Sequence, residues 1–114
     1  MPHFILDCTE NILKLQEPRK VLEAVLETAF STGLFERNDI KVRLNPFKHS
    51  LVQGGKADFI HVFGNIMQGR TEEQKAGLSF AIVTTLKTMF PEVPIVSMNV
   101  RDFEKESYCN RTMV

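Results

Sequence analysis

Four residues of this 114-residue chain could act together on an anionic substrate: Pro2, Lys41, Arg43 and Arg70. Pro2 stands second, so removal of Met1 would turn it into a free amino group. Lys41 and Arg43 belong to the alternating run Ile40-Lys41-Val42-Arg43-Leu44, which puts Ile40, Val42 and Leu44 on one face of a strand and both cations on the other. Arg70 directly precedes Thr71-Glu72-Glu73-Gln74, a sequence with capping-box spacing for a helix start. A cation there opposes the helix macrodipole, and an anionic partner explains its position better. Taken singly, each has a plainer reading: an incidental penultimate proline, solvated strand cations, and a residue that flanks a cap.

Elements must bring these residues together, and composition bounds what those elements can be. The chain is 43% hydrophobic and 25% charged, with Lys+Arg 14 against Asp+Glu 14. That describes one globular domain, residues 1–114, with room for a single core. Zero formal net charge argues against a general nucleic-acid or anionic-membrane partner, which would require a cationic excess. Cys8 and Cys109 lie at opposite ends without a CxxC, and His3, His49 and His61 have no ligand spacing, so no disulfide framework and no metal is expected. Cys8 reads as a small buried apolar residue and His61 as a packed strand histidine. Gly54-Gly55-Lys56 is too short for a phosphate-binding loop and reads as a turn. No apolar run reaches the roughly 20 residues of a membrane span and no signal peptide is recognisable, so a cytoplasmic protein is expected.

Alternation from His3 to Thr9 predicts a first strand. Glu17-Pro18-Arg19 opens a helix whose apolar positions Val21, Leu22, Val25, Leu26, Ala29 and Phe30 recur at helical spacing until Gly33. The second strand is Ile40 to Leu44, followed by a loop carrying Pro46 and His49. A third strand is expected from Ala57 to Met67, with Gly64 as a bulge or a close backbone approach. A second helix then runs from the Thr71 cap to Pro91, followed by a strand from Ile95 to Phe103 and a polar tail that is loosely structured or packs on a neighbour. The pattern is a duplicated βαβ unit, about residues 2–50 and 57–103. It predicts an α/β (α+β) fold with a four-stranded, mostly parallel or mixed sheet and two helices on one face. The other face, apolar in part, would need a partner subunit. A ferredoxin-like split βαβ arrangement, with an antiparallel sheet, fits the same element order.

Pro2-His3-Phe4-Ile5 with Asn11-Ile12, the Thr32-Gly33-Leu34-Phe35 turn, Ile40-Lys41-Val42-Arg43, and Gly69-Arg70 ahead of a helix together resemble the tautomerase superfamily. Within it the chain is most similar to the 5-carboxymethyl-2-hydroxymuconate isomerase family. The resemblance implies a cofactor-free isomerase of aromatic-compound degradation (the homoprotocatechuate pathway), working as a homotrimer on a small-molecule carboxylate. Pro2, exposed by removal of Met1, would be the general base, while Arg43 and Arg70, with Lys41, would hold carboxylates. Where the family has a second arginine on this strand the chain has Lys41, which keeps the charge without the bidentate fork. An α-amino group titrates ordinarily at about 7.7 to 8.0, and nearby cations and an apolar wall such as Phe63 would lower that value toward a usable base. Two other readings stand beside this one: a relative like macrophage migration inhibitory factor without a dedicated substrate, and a non-enzymatic ferredoxin-like ligand-binding module.

Overall fold

Every second residue from Phe4 is withdrawn from water, and this alternation makes β1 (His3–Thr9) a strand with one face in the core. The computed structural model describes residues 1–55 and 57–114. A single turn, α1 (Ile12–Leu15), leads into α2 (Pro18–Ser31). Pro18 sits in the first turn of α2, where its missing N–H costs nothing, and the Glu17 carboxylate accepts from the Lys20 N–H. The helix ends at Thr32, and Gly33 takes φ +77° as its N–H donates to the Phe30 carbonyl at 3.1 Å. β2 (Lys41–Phe47) and β3 (Phe59–Met67) follow. Thr71 and Gln74 cap α3 (Glu72–Met89) reciprocally, as their spacing predicts, and β4 (Ile95–Phe103) completes the sheet.

The sheet order is β2-β1-β3-β4. β1 pairs parallel with β2 and β3 parallel with β4, each pair joined by a long helix, while the central β1/β3 pair is antiparallel. The sheet is therefore mixed, and its two parallel pairs exclude the all-antiparallel ferredoxin-like alternative. Phe4, Leu6, Cys8, Ile60, Val62 and Ile66 form the core with Val21, Val25 and Ala29 of α2 and Leu78, Ile82 and Leu86 of α3. Both long helices thus lie on one face. On the opposite face stand His3, Ile5 and Asp7, Lys41 and Arg43, His61 and Phe63, and Asn99 and Arg101, all half-buried or exposed.

Several details depart from the expectations. β2 continues past Leu44 through Pro46, which was expected in a loop; β2 is an edge strand, and an edge tolerates a residue with no N–H to donate. β3 starts at Phe59 rather than Ala57. Gly64 is a close approach and not a bulge, because its pairing with Phe4 and Val100 is unbroken. A Cβ there would lie 2.8 Å from Met98 Cε and 3.4 Å from Phe4 Cε1. The tail forms two 3-10 turns, Lys105–Ser107 and Arg111–Met113, and Tyr108 packs on Phe103 with ring centroids 5.8 Å apart. Gly54 and Gly55 both have positive φ, as a turn requires, whereas Lys56 lies outside the described residues. Among the described residues no helix is long and apolar enough to cross a membrane.

Candidate active site

The parallel pairing of β1 with β2 brings the chain's amino end to its cations. The Lys41 N–H donates to the Pro2 carbonyl at 3.1 Å, which locks the start of β2 beside residue 2. Pro2 itself is fully buried, and the Met1 amino nitrogen lies 3.8 Å from Asp39 Oδ2. Asp39 ends a 3-10 turn, Arg37–Asp39, that is pinned to α2: the Arg37 guanidinium grips both oxygens of Glu27 and lies 4.4 Å from the centroid of Phe30. Burial pulls the pKa of the amino terminus below its ordinary value. Asp39 opposes that shift, and Lys41 and Arg70 reinforce it. An amine in this setting is biased toward its neutral, basic form.

Lys41 and Arg43 project from one face of β2, as the alternation predicts, and both are exposed. Lys41 Nζ donates to the Asp39 carbonyl at 2.6 Å, and Arg43 Nη1 lies 3.1 Å from His3 Nδ1. Among the described residues neither cation pairs with a carboxylate. A hollow of about 330 Å³ beside Lys41 is lined by Leu22, Leu26, Ile40 and Val42, with Arg19 and Glu23 at its rim.

Arg70 stands just ahead of the Thr71 cap of α3, as the sequence predicts, and its partners are backbone carbonyls. Its guanidinium donates to the carbonyls of Met67 at 3.1 Å and Leu34 at 2.6 Å, and it lies 5.1 Å from the centroid of Phe35, whose ring meets Phe4 edge-on. These carbonyl dipoles offset the mismatch with the N-terminus of α3 that suggested an anionic partner. Arg70 therefore ties the loop before α3 to the turn after α2 while still acting electrostatically on the amino terminus. Arg70→Lys is expected to lower stability by about 1–2 kcal/mol in urea denaturation, because an ammonium on a flexible stem cannot span both carbonyls. An unchanged denaturation midpoint would show that the two bonds do not hold the loops.

Phe63 falls opposite Ile5, in the same row of the sheet as Arg43, and its ring stands edge-on to His61 at 4.6 Å. It faces the open side of the sheet one row beyond His3. His61 bridges Ser97 Oγ and Asn99 Oδ1, both at 2.6 Å, which fits the packed-histidine reading. Buried Cys8 has its thiol pushed up to about 11 by burial and then by Asp7, so it stays protonated and inert. Three residues at the site were not singled out by the sequence reading as members of it: Asp39, His3 and Phe35. Asp39 lies two residues before Lys41 and His3 next to Pro2, but only strand register shows which residues they meet.

The architecture recurs among solved structures. A 5-carboxymethyl-2-hydroxymuconate isomerase from Deinococcus radiodurans R1 superposes with a TM-score of 0.82 at 20% identity, covering 96% of this chain and 88% of that one. Pt0534, inactivated by 2-oxo-3-pentynoate, gives 0.83 at 21% identity over 98% and 94% of the two chains. A fused 4-OT described as a symmetric trimer gives 0.81 at 17% identity over 98% and 94%. At these identities the likeness is one of fold. No curated protein sequence matches this chain. The sequence model for the 5-carboxymethyl-2-hydroxymuconate isomerase family matches residues 2–112, nearly the whole chain. With this fold and a family model that spans nearly its whole length, the chain belongs to the 5-carboxymethyl-2-hydroxymuconate isomerase family.

Proposed function

We propose that this isomerase-family protein is a cofactor-free tautomerase for an unsaturated 2-hydroxy or 2-keto polycarboxylate, with Pro2 as general base once Met1 is removed. The observation that carries the reading is register: the Lys41 N–H donates to the Pro2 carbonyl at 3.1 Å, which sets residue 2 beside the cations of β2, and the pKa of the Met1 amino group there is lowered by burial, opposed by Asp39 and lowered further by Lys41 and Arg70. With Met1 attached, the Pro2 nitrogen is an amide without a basic lone pair. Freed, it is a secondary amine that takes the proton of the 2-hydroxyl and returns it to carbon 5, so the diene shifts and the 2-keto form results. Arg43 and Lys41 bind the substrate carboxylates, and Arg70, with N–H groups left beyond its two carbonyl bonds, stabilises charge on the enol oxygen. Phe63 supplies an apolar wall on the open side of the sheet.

Three copies with their open sheet faces turned inward would cover Ile5, Phe63 and His61. The same fold occurs in structures described as symmetric trimers, and this supports a homotrimer. Intact-mass measurement together with an assay of dienol-dicarboxylate ketonisation tests the reading. Activity should follow the fraction of chains that lack Met1, and full activity in chains that retain it would refute the proline mechanism.

A further inference from the structure

His3 makes a contact that the proposed reaction has not used. Its Nδ1 lies 3.1 Å from Arg43 Nη1. A guanidinium only donates, so Nδ1 must be the lone-pair nitrogen and the ring is the neutral tautomer with its proton on Nε2. The contact follows from register: His3 pairs with Lys41 and Ile5 with Arg43, which puts His3 diagonal to Arg43 on the open face. The imidazole is braced from the other side by Phe103, edge-on at 6.0 Å, itself packed at a tilt against Tyr108.

We infer that His3 is a positioning residue: its neutral Nδ1 holds the Arg43 guanidinium in place for a substrate carboxylate and lets it go on protonation. An arginine side chain has many rotamers, and a ligand that must first order it binds less tightly. The His3 bond orders Arg43 beforehand and leaves the rest of its N–H fork free. Lys41 and Arg43 from β2 and the amino terminus just ahead of β1 oppose a second positive charge on His3, and Arg101 of β4 shares its row through Asn65. Asp7, the carboxylate on the same face of β1, is occupied by Asn45 at 3.0 Å. Burial, followed by Arg43, Lys41 and the amino terminus, holds His3 below the ordinary histidine pKa. The neutral form therefore persists at neutral pH, and carboxylate binding weakens only as pH falls through that lowered value.

This inference rests on Arg43 as a carboxylate ligand, and its test is a binding measurement independent of Pro2. Calorimetric titration with glutarate, an unreactive dicarboxylate, is run from about pH 5 to about pH 8. His3→Ala is expected to weaken glutarate binding by about tenfold at neutral pH, the effect of losing one bond to a charged group. His3→Asn, whose amide oxygen can stand where Nδ1 stood, should bind within about twofold of the parent and lose the parent's extra weakening at acid pH. Glutarate's own titration is common to all variants and cancels in the comparison. In an Arg43→Ala background the His3→Ala change should have no further effect. Parental affinity in a folded His3→Ala protein, or equal loss in His3→Asn and His3→Ala, would overturn the inference while leaving the proposed function standing. If the parent itself neither binds glutarate nor ketonises a dienol dicarboxylate, the functional reading fails and the role of His3 with it.

Discussion

Pro2→Ala is expected to lower kcat/KM for dienol-dicarboxylate ketonisation by at least about a hundredfold in protein lacking Met1, the range in which general bases act. The substitution keeps an amino-terminal nitrogen but replaces a ring-held secondary amine at a buried strand start with a freely rotating primary one. Pro2 is fully buried, and the Lys41 N–H holds its carbonyl at 3.1 Å, so the backbone site survives while the geometry of the base does not. The loss should fall mainly on kcat, because Lys41 and Arg43 still bind the carboxylates. The pH profile gives an independent check. The pKa of the Met1 amino group is lowered by burial against the opposing pull of Asp39, and a Pro2 amine freed beside the same Lys41 and Arg70 should be held low likewise, so activity should rise with pH through a limb lying lower than an unperturbed amine would give. A variant with parental kcat/KM would remove Pro2 from the chemistry.

Phe4→Ala should destabilise the protein by about 3–5 kcal/mol in urea denaturation, a large share of the roughly 5–15 kcal/mol that holds a domain folded. Phe4 is wholly buried and meets Phe35 edge-on at 5.9 Å. Its ring also lies over Gly64, where even a Cβ would come within 3.4 Å of Cε1. The ring shares with Met98 the space that the glycine leaves open, and truncation leaves a cavity that the Met98 side chain fills only in part. Phe35 is the ring beneath the Arg70 guanidinium, so the damage should reach the loop before α3. Phe80→Ala, on the outer side of α3 with 76% of the residue exposed, should change stability by no more than about 0.5 kcal/mol. Comparable losses from both substitutions would show that burial does not govern the difference.

The sequence by itself determined the local structure, because the periods of two and 3.6, the Pro18 start, the Thr71/Gln74 cap and the Gly33 stop all act within a few residues. It also put Lys41 and Arg43 on one face and, through the quoted motifs, indicated the isomerase family. It did not show how the two units join. Apolar alternation is the same in a parallel and an antiparallel neighbour, and the antiparallel β1/β3 pairing emerges only when both strands share one core. Pro46 was misleading as a loop signal because its strand lies at an edge, a property of sheet order rather than of composition. The site shows the same division most clearly. Arg43 meets His3 across 40 positions and Arg70 meets Leu34 across 36, so these partners depend on register and loop packing that no local pattern encodes. Arg70 stood out in the sequence as a charge in an unfavourable place; tertiary structure supplied the carbonyl dipoles that make the place tolerable.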